Sequence, residues 1–485
     1  MKQLKELLKY TKVDSIHGSD DPSVHALTSD SRRINKGAAF FALKGENFDG
    51  HDFVPAAAQA GASVAVVSNG RVYEGITTVC VSDTAEAMGN MARVYYDDPT
   101  SKLELIGITG TNGKTTTATL LYKLFMQLGY KTGLISTVAN YVEEKEIQTK
   151  YTTPDVLALN RLLRQMSDAG CQYCFAEVSS HALEQKRTAG LKFAGAIFAN
   201  ITHDHLDYHK TFKNYIYAKK KLFDNLDEEA FALVNADDRN ADVMLQNCNA
   251  QKHKFAVKSI AEFQSRIIEN TFEGMKLEID NREVWTLLSG EFNAYNITAV
   301  YAAARLLGIR RQELLPLISA STPVRGRMES FNINGITAIV DYAHTPDALE
   351  NVLKTIQDVK TPAQKLITVV GTGGNRDKEK RPKMARIAYE YSDKVVFTSD
   401  NPRFENPTAI IDDMIEALSP QQQSETLNIP DRKEALKTAV MLAQAGDIVL
   451  AAGKGHETYQ EIKGIRSRFD DKEILTEFLE NLKKN

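Results

Sequence analysis

Apolar runs bounded by turn-forming clusters recur along the whole chain. AAFFAL (38–43) and SVAVVS (63–68) are β-rich, and VPAAAQAGA between them reads as a short helix. The opening MKQLKELLKYTKVDSIHG spaces its apolar residues as an amphipathic helix does. DDPTSK (97–102) interrupts the pattern with turn formers and marks a boundary. Beyond it come strand, glycine loop and helix in LELIGITGTNGKTTTATLLYKLFMQLGY. Further strands are predicted at KTGLIST, YCFAEVSS, AGAIFANIT and FALVNA, with helical stretches between several of them. A second break falls in STPVRGRMES (321–330), after which ITAIVDYA, LITVVGTGG, KVVFTSDNPR and DIVLAAGKGHE repeat the rhythm. Strands alternating with helices predict an α/β protein with mostly parallel sheets. The two breaks divide it into three domains, 1–99, 100–328 and 329–485.

The length of 485 residues accords with three domains of roughly 150 residues each. A formal net charge of −4 provides no overall basic field for nucleic acid or anionic lipid. No stretch approaches the ~20 apolar residues that span a bilayer. The N-terminus lacks the apolar core and cleavage site of a signal peptide. Four cysteines are too few for a disulfide framework, so a reducing, cytoplasmic setting is expected. Cys171 and Cys174 form a lone C-x-x-C without a second ligand pair. Cys174 opens an apolar run, which predicts core packing rather than metal binding.

In open α/β sheets ligands bind beyond the carboxyl ends of the strands, so the polar loops after each run are where chemistry is expected. GTNGKTTT (110–117) follows a strand and opens a helix. Its backbone N–H groups can face a phosphate chain at a helix N-terminus, and Lys114 can reach the β- and γ-phosphates. The Thr115 hydroxyl can hold Mg²⁺. Ile108 stands where the strict phosphate-loop pattern has its first glycine. Glu177 ends an apolar strand, where a carboxylate can also hold Mg²⁺. ANITHDHLDYH (199–209) gathers three histidines and two aspartates after another strand; with ATP nearby, Mg²⁺ with at most one histidine ligand is expected rather than a closed zinc set. Lys219, Lys220 and Lys221 lie on a predicted helix, where a solvated basic face is the plain reading.

GTNGKTT, EVSSH, HDHLDYH with YAKKKLF, GEFNAYN, PVRGRME, DYAHTP, GGNRDKEKRP, DNPR and GKGHE occur in one order along one chain. Together they resemble the Mur ligase family from about residue 29 to residue 460. The resemblance implies a UDP-sugar-binding domain, a central phosphate-loop ATPase and a C-terminal Rossmann-like domain that binds an amino acid. It implies a nucleotide site of Gly110, Thr111, Asn112, Gly113, Lys114, Thr115 and Thr116. Asn293 and Asn296 would contact adenine; Arg327, Asp341 and His344 would contact phosphate or ribose. Lys114, Lys219, Glu177 and His205 would be the catalytic set. Lys219 would be carbamylated by CO₂, turning a cation into an anionic metal ligand, with His205, Thr115 and Glu177 completing the metal environment. Ser29 and Ser31 resemble the uracil-contacting segment, with Glu46, Asn47 and Phe48 in the adjacent loop. Thr152, Thr153, Ser179, Gln185 and Arg187 fall where the family grips a muramoyl-dipeptide.

DNPR (400–403) resembles members that add meso-2,6-diaminopimelate. Arg403 offers a planar fork for the distal carboxylate, and Glu457 can hold the distal ammonium. Arg376, Asp400, Asn401, Pro402 and Gly453 belong to the same pocket by resemblance. The reaction implied is ATP-dependent amide formation on UDP-N-acetylmuramoyl-L-alanyl-D-glutamate through an acyl phosphate, in peptidoglycan precursor synthesis, by a cytoplasmic monomer. The alternatives are a lysine-adding member, a related amide ligase such as a folylpolyglutamate synthase, and a phosphate-loop switch that uses ATP only to change shape.

Overall fold

The computed structural model describes residues 1–45, 48–148 and 152–482. Among these residues the apolar runs form three large sheets, of five, eleven and six strands, with two further two-stranded pairs. In the first sheet Ala26–Thr28, Ala38–Phe41, Val64–Val67 and Thr77–Cys80 run parallel, and Ser15–His17 adds an antiparallel edge. The helix Thr84–Tyr95 starts where the Asp83 carboxylate accepts from the Glu86 N–H. It shares a core with Phe41, Val64 and Val66.

The amphipathic helix predicted at the N-terminus is much shorter than its pattern. Lys2–Gln3 is a strand paired with Ser23–Val24, helix covers only Leu4–Leu7, and a 3₁₀ turn, Leu8–Tyr10, follows. Sheet pairing wins on both sides: Ile16 lies opposite Val79 in the first sheet, while Leu4 and Leu7 fill its core.

In the central sheet Glu104–Thr109 lies between Tyr173–Glu177 and Gly195–Phe198, all parallel. On one side follow Thr132–Ile135, Asn140–Val142 and Lys145–Ile147; on the other Phe231–Asn235, Gln251–Ala256, Phe263–Thr271, Gly274–Ile279 and Arg282–Thr286. After Glu104–Thr109 the chain goes first to one side and later crosses to the other. The loop at its carboxyl end therefore sits at a topological switch point. The hairpins at the far side were not foreseen in the sequence. Gly274–Ile279 alternates buried and half-buried residues, so it lacks the continuous apolar run that reveals a strand covered on both faces.

The third sheet runs Glu329–Ile333, Ile336–Asp341, Ile448–Ala452, Leu366–Thr372, Lys394–Ser399, Leu427–Asn428, parallel except for the first pair. Its glycine- and proline-rich loops leave from the same ends as the predicted motifs. Cys174 is buried in Tyr173–Glu177, and burial pushes its thiol well above the usual range. The four cysteines are free and buried. Among the described residues no helix is long and apolar enough to cross a membrane.

Candidate active site

The helix Lys114–Gln127 begins without a side-chain cap: its N-cap is Gly113, at φ 84°. Its first N–H groups are thus not taken by a capping side chain, the arrangement that receives phosphate. Gly113 is required twice over. Its φ is left-handed, and a Cβ there would approach Asn296 Oδ1 to 2.5 Å. Thr111 N–H donates to the Asn200 carbonyl at 2.9 Å and Asn112 N–H to Asn200 Oδ1 at 2.9 Å, anchoring the loop to the end of Gly195–Phe198. Thr116 is buried in the first turn. Asn293 and Asn296 lie in Glu291–Leu306, buried under this helix. Asn293 Nδ2 donates to the Ser289 carbonyl, and Asn296 Oδ1 accepts from Thr117 at 3.3 Å.

Two lysines share one carbonyl. Lys114 Nζ donates to Gly110 O at 2.9 Å and to Thr111 O at 2.8 Å; Lys219 Nζ donates to the same Gly110 O at 2.7 Å. Lys219 is 1% exposed, which the basic-face reading of its helix, Phe212–Asp224, did not anticipate. Lys220 is buried too and pairs with Asp224; Lys221 alone of the three is solvated, bonded to Glu184. Burial, and then the like charge of Lys114, hold Lys219 well below the ordinary lysine range. Burial also lowers Lys114.

Glu177, fully buried, accepts from Thr115 Oγ1 at 3.0 Å, from Thr137 N–H at 2.7 Å and from Thr137 Oγ1 at 3.2 Å. Arg327 Nη2 donates to the same Thr115 hydroxyl at 3.1 Å. Of the three histidines of 199–209, His205 and His209 both pack against His181, at 4.8 and 5.5 Å between ring centroids, and His203 faces Phe212 instead. His209 also bonds the Ser180 hydroxyl at 2.9 Å, and His205 meets His181 edge-on. Among the described residues no group of three or more His, Cys, Asp or Glu could hold a metal ion, so a closed metal set is not present in that loop. Loss of solvation pushes His205 down to about 4, against the pull of Asp204.

Beside Glu177 the muramoyl-dipeptide candidates gather. The Thr152 and Thr137 hydroxyl oxygens are 3.0 Å apart, with the Thr137 proton committed to Glu177, and Thr153 Oγ1 donates to the Glu177 carbonyl at 2.8 Å. Ser179 caps Ser180–Glu184. Arg187 donates to Gln185 Oε1 at 2.7 Å and to the Thr153 carbonyl at 2.8 Å. Ser31 opens the turn Ser31–Arg33 beyond the first sheet's strand Ala26–Thr28. Glu46 and Asn47 lie outside the described residues; Phe48 is exposed.

The third sheet approaches this centre through residues the sequence reading passed over. Thr345 caps the helix Pro346–Val359, proline takes its first position, and Asp347 lies in its first turn. Asp347 Oδ2 accepts from Asn112 Nδ2 at 2.6 Å and from Thr202 Oγ1 at 3.0 Å, bridging this helix to the glycine loop. Burial raises its pKa. Asp341 accepts from Met328 N–H at 2.6 Å, and burial raises it too. His344 Nδ1 lies 2.9 Å from the Tyr342 carbonyl, and burial pushes it down to about 4. Burial likewise takes His456 to about 3. Gly326 and Gly455 touch backbone to backbone: a Cβ on Gly326 would come within 2.1 Å of the His456 nitrogen. A residue before Arg327 with any side chain is therefore excluded.

A second constellation surrounds the loop after Lys394–Ser399. Asn401 Nδ2 donates to Glu457 Oε2 at 2.8 Å, and Asp400, Asn401 and Pro402 are buried. Arg403, at φ 51°, donates to the Gly374 carbonyl at 2.7 Å. A Cβ on Gly373 would meet both Arg403 and Arg376. Gly453 N–H donates to the Asp341 carbonyl. Burial, and then Asp400, raise Glu457. Two fully buried arginines frame these loops. Arg381 binds Glu405 and Asp413, and Glu405 accepts from the Asn375 N–H. Arg432 pairs with buried Asp471 at 2.6 Å and donates to the carbonyls of Ser399 and Ala452. No spacing in the sequence marks these arginines, because their carboxylate partners lie 24 to 39 positions away.

Comparisons with known proteins give the family of the chain. Residues 23–96 match the family described as Mur ligase family, catalytic domain, 108–304 the Mur ligase middle domain and 326–455 the Mur ligase, glutamate ligase domain. A UDP-N-acetylmuramoyl-L-alanyl-D-glutamate–2,6-diaminopimelate ligase from Phocaeicola vulgatus is 52% identical over 99% of this chain and 100% of its own. The protein so named from Bacteroides thetaiotaomicron is 51% identical over 98% and 99%. A solved structure bearing that enzyme name superposes with TM-score 0.68 at 32% identity, covering 95% of this chain and 96% of its own. A folylpolyglutamate synthase from Thermotoga maritima shares the fold, with TM-score 0.58 at 14% identity over 75% of this chain. An uncapped phosphate-loop helix, a buried acid beside it and two buried lysines on one carbonyl thus sit in a chain that belongs to the Mur ligase family.

Proposed function

We propose that this protein ligates meso-2,6-diaminopimelate to UDP-N-acetylmuramoyl-L-alanyl-D-glutamate with cleavage of ATP to ADP and phosphate, forming the tripeptide precursor of peptidoglycan in the cytoplasm. The observation that carries the reading is the convergence of Lys114 and Lys219 on Gly110 O beside the Thr115–Glu177 pair. Domain 1–99 takes the UDP-sugar, 100–328 takes ATP, and 329–485 takes the amino acid. Lys114 and the N–H groups of the uncapped helix bind the ATP phosphates and offset repulsion between the γ-phosphoryl group and the D-glutamyl carboxylate. Transfer of that group gives an acyl phosphate, which the incoming amine attacks with loss of phosphate. Thr152, Thr153, Ser179, Gln185 and Arg187 hold the muramoyl-dipeptide.

The residues present fit Mg²⁺. A hydroxyl and a carboxylate 3.0 Å apart at the loop are oxygen donors of the kind a hard cation takes. Thr115 and Glu177 would hold it, with His205 toward a second ion; when bound, it supplies charge neutralisation for phosphoryl transfer. Lys219 as an ammonium does not fit such a site. As a carbamate it does, and burial favours the neutral amine that CO₂ requires.

Arg403 and Glu457 face the two ends of the distal amino-acid head, which favours diaminopimelate over L-lysine. ADP release by the purified protein with ATP, Mg²⁺ and the UDP-muramoyl-dipeptide should require diaminopimelate and yield one amide per ADP. Equal turnover with L-lysine, or ADP release independent of any amino acid, defeats the proposal.

A further inference from the structure

Lys454 carries a fully buried ammonium that the reaction above does not use. It lies between Gly453, at φ 113°, and Gly455, at φ 52°, backbone conformations that favour glycine on both sides. Its Nζ is 3.0 Å from Glu457 Oε2, 3.1 Å from Asn401 Oδ1 and 3.5 Å from Asp400 Oδ1. Glu457 Oε2 also accepts from Asn401, so the oxygen expected to receive a substrate ammonium already has two donors. Asp400 Oδ1 is buried without a hydrogen-bond partner of its own.

The charges decide what this pocket accepts. Asp400 and Glu457 bring two negative charges; Lys454 and Arg403 bring two positive ones. A distal head with both carboxylate and ammonium is neutral and leaves that balance intact. A lysine side chain brings one more ammonium, with Lys454 already seated against the carboxylates and nothing for Arg403 to pair with. Like charges in a desolvated pocket repel more strongly than in water.

We propose that Lys454 is a specificity-determining residue of the amino-acid pocket: its buried ammonium neutralises the Asp400–Glu457 pair, so the pocket takes a distal group bearing both charges and rejects one bearing an ammonium alone. This rests on the diaminopimelate reading of the site. Lys454 acts by positioning Glu457 and Asn401 and by excluding a competing cation; it makes no bond to reacting atoms.

The test compares wild type with Lys454→Met, Lys454→Gln and Lys454→Arg, each checked for folding by circular dichroism. Steady-state ADP release is measured with diaminopimelate and with L-lysine. The two neutral variants should lose at least about tenfold of the diaminopimelate-to-lysine ratio in kcat/KM, through a raised KM for diaminopimelate and a lowered KM for lysine. Lys454→Arg should keep most of the wild-type ratio. Folded neutral variants that retain that ratio, or that weaken both amino acids equally, overturn the assignment. A further arm needs no variant: on the wild type, 2-aminopimelate, which keeps the distal carboxylate and lacks the distal ammonium, should exceed L-lysine in kcat/KM by about tenfold or more. If L-lysine is the better substrate of the two, the assignment fails. A wild type that ligates neither diaminopimelate nor lysine removes the functional reading and this assignment with it. A wild type that prefers diaminopimelate, with neutral variants that do so equally, removes only the latter.

Discussion

Replacing Lys219 tests the electrostatics at the centre of the site. Lys114 and Lys219 donate to one carbonyl oxygen at 2.9 and 2.7 Å. Their nitrogens are therefore at most about 5.6 Å apart, and two full charges there repel by about 3 kcal/mol at an effective dielectric constant near 20. A carbamate on Lys219 reverses the sign and gives an attraction of the same order. Lys219→Ala removes that attraction, and about 3 kcal/mol in the transition state is a rate loss of roughly a hundredfold in kcat. Formate, acetate or propionate entering the vacated space should restore part of it by returning an anion. Lys219→Arg, a permanent cation that cannot carry CO₂, should be as slow or slower and unresponsive to acids. The assay is coupled ADP release with all three substrates, with and without added acid, beside ¹³C NMR of wild type in ¹³C-bicarbonate, where a carbamate carbon should appear. A Lys219→Ala protein with wild-type turnover and no added acid would refute the reasoning, as would a fully active Lys219→Arg.

Asp347→Ala deletes the carboxylate that receives Asn112 and Thr202, a loss of about 2 kcal/mol at the interface. A larger radius of gyration by small-angle scattering and a lower kcat should accompany it. His205, His344 and His456 are held near 4, 4 and 3, below the ordinary value of about 6.5. With folded values depressed, their contribution to stability is fully present above about pH 6.5 and is lost as pH falls toward 4, because the unfolded chain takes up protons first. Urea midpoints should therefore drop between pH 6.5 and 5, and His344→Gln with His456→Gln should flatten that slope. Asp471→Ala strands the buried Arg432 cation and should cost about 3–5 kcal/mol, read as an earlier urea transition by circular dichroism.

The sequence exposed those parts of the protein whose signal is local. Glu104–Thr109, Tyr173–Glu177 and Ile448–Ala452 are covered on both faces, so each appears as an unbroken apolar run. The glycine loop is legible because its function needs consecutive residues. Gly274–Ile279 stayed hidden since only one of its faces is covered. The N-terminal pattern misled because pairing of Lys2–Gln3 and Ser15–His17 with distant strands outweighs local helical spacing. Lys219 was singled out by resemblance; its burial and its shared carbonyl emerge only when Phe212–Asp224 packs beside the loop. Asp347 and Arg432 take their meaning from partners far along the chain, which no spacing rule connects, and Lys454 has Glu457 three residues on but Asn401 and Asp400 more than fifty positions back.

The backbone seam between Gly326 and Gly455 has a mechanical consequence. One turn of the seam leads within two residues to Glu457; the other leads in one to Arg327, whose guanidinium rests on Thr115. With no side chain between them there is little slack to absorb displacement, so on the proposed function a shift of the loop at Gly453–Glu457 would be passed on to Arg327 and the glycine loop. A small molecule wedged into that seam would stall both half-reactions while resembling none of the substrates.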